Sequence, residues 1–159
     1  MKNVLLVFVG ALLFYACGGS PSGENASSSG AKPKSMIAEE KPDDGKGIGE
    51  IKQVELNNPL KPDMVDKGKA IYEMKCASCH KLTDQRVVGP GWKGVTTRRK
   101  PEWTMNMITN VEVMLEEDPA AREMLKECLV RMPNQNLSIG DARDVLEFMY
   151  ANDGVAVAE

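Results

Sequence analysis

Five consecutive residues constrain this chain more than anything else in it: Cys76-Ala77-Ser78-Cys79-His80. His80 is the one histidine among 159 residues, so any site that needs two histidines from this chain is excluded. On a helical turn, positions i, i+3 and i+4 share a face, which points two thiols and an imidazole the same way. That set fits a haem, with the thiols adding across its two vinyl groups and the imidazole taking the iron from one side. The CxxCH signature is the sequence mark of such covalent attachment. Three other readings compete. A redox CxxC of thioredoxin type expects a βαβ context, and no alternating run here suggests a strand. A zinc site needs two more ligands, for which only Cys128 and carboxylates remain. A disulfide between Cys76 and Cys79 leaves His80 without a role.

Composition bears on what could surround such a motif. Hydrophobic residues make up 42% and charged residues 27%, enough for one soluble folded part in a chain of this length. Aromatics number eight, and Phe8, Phe14 and Tyr15 fall in the first sixteen residues. Tyr72, Trp92, Trp103, Phe148 and Tyr150 are what is left, few for a small core. Something other than side chains is expected to fill it. The net charge of −3, from 20 Lys and Arg against 23 Asp and Glu, argues against a nucleic-acid partner. Only one uncharged stretch is long enough to matter, which excludes a polytopic membrane protein.

That stretch is N-terminal. Behind Lys2, the run Val4 to Tyr15 is apolar but for Gly10, a length that suits the core of a secretory signal better than a membrane span. Ala16-Cys17-Gly18 follows at its end. A small residue before a cysteine at this place resembles a bacterial lipoprotein processing site, which implies that residues 1–16 are removed and Cys17 becomes the acylated first residue. The folded part is then expected outside the cytoplasm, in the periplasm or its equivalent, tethered to a membrane by lipid. Residues 17–60 read as a flexible linker rich in Gly, Ser, Pro, Lys and Glu, too polar to offset their ordering entropy. Its r.m.s. reach is roughly 35–40 Å. Ile48, Ile51, Val54 and Leu56 hint that its last part lies against the domain.

From residue 61 to 159 the pattern is that of short helices. Asp63 after Pro62 is placed to cap a helix through Met64-Val65, Gly68, Ile71-Tyr72 and Lys75. Residues 81–100, with Gly89-Pro90-Gly91 and Gly94, read as loop. Pro101 opens a second helix with Trp103, Met107, Val111 and Met114-Leu115 on its apolar side. Asp118-Pro119 opens a third, carrying Met124-Leu125, Cys128 and Leu129. Pro133 disfavours helix at Met132, so Met132 to Asn136 is loop. Ser138 and Asp141 form the capping box of a last helix, whose inner side is Val145, Leu146, Phe148 and Met149. The expectation is a small all-α domain of about four helices.

With these elements in order, residues 62–153 resemble a class I monohaem cytochrome c. The motifs follow one another as in that family: Gly68 and Tyr72, Cys76-Ala-Ser-Cys79-His80, Gly89-Pro90, Trp103, Met132-Pro133 and a final helix with Phe148. The resemblance implies that Cys76 and Cys79 hold one haem c and that Pro90 accepts a hydrogen bond from the His80 imidazole. It further implies that Trp103 lies against the cofactor, that Met132 supplies the second axial ligand, and that Gly68 lets the first and last helices cross. A haem would also answer the shortage of aromatics in so small a domain.

The ten methionines support the same ligand. Met1 leaves with the signal and Met36 lies in the linker, while Met64 and Met74 are on the His80 side. Met105, Met107, Met114, Met124 and Met149 lie in helices, where core packing is expected. Met132 alone sits in an extended loop. Cys128 reads as a buried free thiol. Charge is uneven: residues 61–100 hold ten Lys and Arg against four acids, and residues 101–159 hold four against twelve. Halves kept apart would form a dipole that steers docking, and halves interleaved would be ordinary solvated faces.

The functional expectation is a membrane-tethered carrier of single electrons, not an enzyme. Val87-Val88-Gly89-Pro90-Gly91-Trp92 and Cys128 to Asn136 further resemble small cytochromes associated with nitrous oxide reductase, which would make that copper enzyme the acceptor. A haem–copper terminal oxidase is the other acceptor considered. A haem sensor or peroxidase with a vacant or labile sixth position is the alternative of a different class.

Overall fold

In the computed structural model, residues 43–128 and 130–159 are described; the signal, Cys17 and the linker up to residue 42 lie outside them. Six α-helices follow one another: α1 Pro62–Ile71, α2 Val95–Arg98, α3 Pro101–Thr109, α4 Val111–Glu117, α5 Pro119–Lys126 and α6 Ile139–Asn152. One π-helical turn, Tyr72–Cys76, extends α1. There is no strand among the described residues, and none of their helices is long and apolar enough to cross a membrane.

Prolines open three of these helices. Pro62, Pro101 and Pro119 each stand in a first turn, where the absent N–H costs nothing. Lys61, not Asp63, is the N-cap of α1, and Asp63 sits in the first turn, ion-paired with Lys67 at 3.5 Å. Asp118 caps α5 by accepting from Ala121 N–H at 2.8 Å. The capping box of α6 is present in both directions, Asp141 N–H to Ser138 Oγ at 3.1 Å and Ser138 N–H to Asp141 Oδ2 at 3.2 Å.

Four expected helices become six for two reasons. The helix starting at Pro101 breaks at Asn110 (φ −138°, ψ 44°), whose side-chain amide donates to the Ile48 carbonyl at 3.1 Å. Gly94, in the left-handed region at φ +70°, starts the extra short α2.

Residues 43–60, expected as the end of a linker, instead form a strap along the domain, in the direction that their apolar residues hinted. Ile51 and Leu60 are buried. Asn106, fully buried on α3, donates to Lys46 O and Ile51 O at 3.0 and 2.9 Å and accepts from Ile51 N–H at 3.1 Å. At the strap's end Leu60 N–H donates to Ala156 O at 2.9 Å, and Ala158 N–H returns to Leu60 O at 2.8 Å.

Helices α1 and α6 cross where Gly68 meets Asp144 and Phe148. A Cβ at Gly68 would overlap the Asp144 carbonyl and stand 2.9 Å from Phe148 Cβ, so only glycine admits this approach. The expected inner face of α6 is buried throughout. So is Glu147, between Val145 and Met149, held by Asn57 and by Arg143 at 3.3 Å. Buried apolar residues form two clusters. One joins Tyr72, Trp92, Met105 and Ile108 to α6; the other gathers Trp103, Val111, Met114, Leu115 and Ala121.

Candidate haem site

The motif closes on itself in one turn, because the N–H groups of Cys79 and His80 both donate to the Cys76 carbonyl, at 3.0 and 2.9 Å. Cys76 is buried and Cys79 half-buried, and both thiols are free, so they form no disulfide. Burial, aided by Cys79 and opposed by Lys75, pushes the Cys76 thiol up to about 11, so it is protonated at neutral pH.

Everything around His80 fixes one ring orientation. Its Nδ1 lies 2.8 Å from the Pro90 carbonyl. A carbonyl only accepts, so Nδ1 carries the proton and Nε2 keeps its lone pair. Burial holds the imidazole pKa below its ordinary value, with the Pro90 bond opposing, which favours the neutral ring that binds metals. The Tyr72 hydroxyl donates to the His80 carbonyl at 2.8 Å. The Trp92 ring stands 5.7 Å from the imidazole and 4.9 Å from Tyr72. Gly89 donates its N–H to Cys79 O at 2.9 Å and backs directly onto the imidazole, since a Cβ there would come within 2.7 Å of Nδ1.

Between the two apolar clusters lies a cavity of about 560 Å³, within the usual range for a cofactor site. Cys79, His80, Pro90, Trp103 and Met132 all line it, while Cys76 is buried in the adjoining cluster with Tyr72 and Trp92. Ile108, Leu115, Leu125 and Met149 supply much of the remaining wall. Five of the six expected haem-contacting residues thus converge on one void that the side-chain core does not fill.

Met107, Met124 and Met149 line the cavity too, which their helical positions alone do not reveal. Met124 Sδ already accepts from Arg99 Nη2 at 3.3 Å, and Met149 is only 3% exposed in the core. Met132 is the lining methionine that lies outside a helix, half-buried against the Trp103 cluster. Cys128, expected to be buried, is half-buried at the cavity rim with Arg86 Nη1 3.6 Å from its sulfur. The reason is that α5 stops at Lys126, so Cys128 falls beyond its apolar face. Among the described residues no group of three His, Cys, Asp or Glu is placed to hold a metal ion. The basic and acidic halves meet at the same rim, where Arg86 pairs with Glu127 at 2.6 Å, so they are interleaved there.

An apolar void, two free thiols, a neutral imidazole with a free Nε2 and a thioether on one wall fit a covalently bound haem. Residues 65–152 match the family model for cytochrome c. The chain belongs to the cytochrome c family. Among solved structures, cytochrome c from Rhodothermus marinus is 30% identical, with a TM-score of 0.64 over 66% of this chain and 90% of that one. An engineered form of that cytochrome, Rma TDE, is equally identical at a TM-score of 0.63, and the same form bound to a carbene intermediate scores 0.61. A search of curated proteins returns no match. Membership in the cytochrome c family gives this chain the class I all-α fold, one haem c bound covalently through Cys76 and Cys79, and a haem-based electron-transfer role.

Proposed function

We propose that this cytochrome c is a membrane-tethered carrier of single electrons on the outer side of a bacterial membrane, and that His80 Nε2 and Met132 Sδ are the protein groups that would hold its iron. The observation behind the ligand pair is that His80, locked by Pro90 with Nε2 free, and Met132, the lining methionine outside a helix, share one apolar cavity. Haem c, when bound, supplies an iron that cycles between ferric and ferrous states. The chain does the rest. Pro90 keeps the proton on Nδ1 and so the lone pair on Nε2. The apolar walls exclude water, which lowers the reorganisation that accompanies each electron. A thioether ligand favours ferrous iron and raises the potential.

The tether and location rest on the signal-like run from Val4 to Tyr15 and on Cys17 behind it. Cys17→Ser should block lipoprotein processing, and an unmodified Cys17 in intact-mass analysis from the native host would refute the anchor. The acceptor favoured is nitrous oxide reductase, supported by the likeness of residues 87–92 and 128–136 to the small cytochromes associated with it. Stopped-flow reoxidation of the reduced protein by that enzyme and by a haem–copper oxidase separates the two routes. The carrier reading itself is tested by ligation. The ferric protein should be low-spin with the far-red methionine-to-iron band, and the ferrous protein should bind carbon monoxide weakly at neutral pH. A high-spin protein that takes up carbon monoxide at once would make it a sensor or peroxidase.

A further inference from the structure

The cavity wall that α3 and α4 supply has two sides. Trp103, Thr104, Met107 and Ile108 of α3 and Leu115 of α4 line the void. The strap runs behind them. Asn106, fully buried between these positions, is turned to it. A carboxamide has two N–H donors and one accepting oxygen, and the strap takes all three. The donors go to Lys46 O and Ile51 O, and the oxygen accepts from Ile51 N–H. One side chain thus pins both ends of the loop from Lys46 to Ile51. Lys46 Nζ closes that loop further by donating to Lys52 O at 2.7 Å, and Asn110 holds its middle through Ile48 O.

What the pinned loop covers is the back of the cavity wall. A Cβ at Gly47 would stand 2.8 Å from Met114 Cε and 3.1 Å from Trp103 Cδ1, so the backbone packs directly on both side chains. Ile48 N–H donates to Met114 Sδ at 3.0 Å. Gly47 lies in the left-handed region at φ +73°, and a Cβ at Gly49 would overlap the Asn106 carboxamide oxygen, so both glycines are fitted to this seat. With the loop in place Trp103 is 5% exposed and Met114 not at all. Without it the Asn106 carboxamide would draw water, because a buried polar group is costly to leave unpaired. Asn106 and Trp103 are three apart on α3 and therefore neighbours on its surface, so that water would stand behind the indole.

We propose that Asn106 is a positioning residue for the haem, acting through the strap: by seating residues 46–51 against Trp103 and Met114 it keeps the α3–α4 wall of the cavity dry and the reduction potential high. This rests on the assignment of haem c to the cavity. The ferric state carries one positive charge more than the ferrous and gains more from water, so burial is a lever on the potential. The strap is then part of the cofactor site without touching the cavity.

The test uses full-length holoprotein with Gly49→Ala, which unseats the loop, and Asn110→Ala, which removes one of its bonds. Leu60→Ala is the control, since it weakens the far end of the strap by truncating a buried side chain. None of the three changes a cavity-lining residue. The readouts are the midpoint potential by spectroelectrochemistry and, in the ferrous protein, hydrogen exchange of the Trp103 indole N–H by NMR. That exchange is taken relative to the amide of buried Val145, which reports global unfolding. Gly49→Ala should raise the oxidised-to-reduced ratio at fixed poise about threefold, which at 59 mV per tenfold is about 28 mV lower. It should also speed the relative indole exchange. Asn110→Ala should move both readouts the same way by less. Leu60→Ala should lower stability and leave both near wild type. A wild-type potential in Gly49→Ala, or an equal fall in Leu60→Ala, would overturn the proposal. If Gly49→Ala takes up no haem, Asn110→Ala carries the decision, and an unchanged potential there overturns it as well. Absence of covalent haem from the wild type would instead overturn the cofactor assignment, a separate result on a haem-stained gel.

Discussion

On the His80 side of the cavity nearly every polar group has a partner within a short stretch of chain. Cys76, Cys79, Lys81, Gly89, Pro90 and Trp92 are joined by hydrogen bonds, and Gly89 leaves the imidazole no room to turn. The Met132 side is different. Among the described residues between α5 and α6 the chain is irregular and mostly exposed, and the ties of residues 130–137 are exposed as well. Lys75 Nζ donates to Gln135 O at 3.2 Å, Asn134 Nδ2 to Glu112 Oε2 at 3.2 Å, and Arg131 faces Glu116 at 3.6 Å. Asn136, at φ +52°, turns the loop with help from its N–H bond to Asn134 Oδ1 at 2.8 Å. The contrast teaches that one proposed ligand is built into the fold while the other would be delivered by a segment whose local opening is cheap.

Removing Cys76 attacks the built side most directly. Cys76→Ala should abolish most of the haem-stained band after denaturing electrophoresis, whereas Cys128→Ala, at the rim, should leave it near the wild-type level. Equal losses would break the distinction between motif and rim.

Met132→Ala takes away the delivered side. The covalent haem and the fold should persist, the far-red band should vanish, the potential should fall and carbon monoxide should bind readily, as visible spectra before and after gas addition would record. Gly89→Ala sets a methyl group against the imidazole and should cost about 1–3 kcal/mol in denaturant unfolding, the usual penalty of overpacking. If Met132→Ala proved as destabilising as Gly89→Ala, the two sides would not differ in rigidity as described.

The smallest effect is expected where the ties are exposed. Asn134→Ala should change stability by no more than about 0.5 kcal/mol, as surface substitutions do. Its trace should be kinetic instead, a modestly faster uptake of carbon monoxide by the ferrous protein under stopped flow.

Elements whose information is local are legible in the amino-acid sequence. Cys76, Cys79 and His80 share a turn, Pro133 keeps Met132 out of a helix, and Ser138 with Asp141 starts α6 as the capping pattern demands. Features that depend on distant partners are not legible there. Asn106 and Asn110 look like ordinary polar positions on a helix, yet both are turned to the strap, and the break at Asn110 follows from that. Arg143 and Glu147, four apart, look like a solvent-facing pair, but Glu147 is fully buried beneath the strap residue Asn57.

The pairing of Leu60 with the C-terminal segment has a consequence for how the domain wears. Chain ends are ordinarily where peptidases begin, since a terminus that frays exposes its own backbone. Here the end of the strap and the C-terminal segment hold each other. Ala156 accepts from Leu60 and Ala158 donates back to it, so trimming from Glu159 soon meets hydrogen-bonded backbone. A cut that passes Ala156 would also release Leu60, which is 1% exposed, from the other end of the domain. Resistance of the C-terminal segment to trimming would then turn on two short hydrogen bonds.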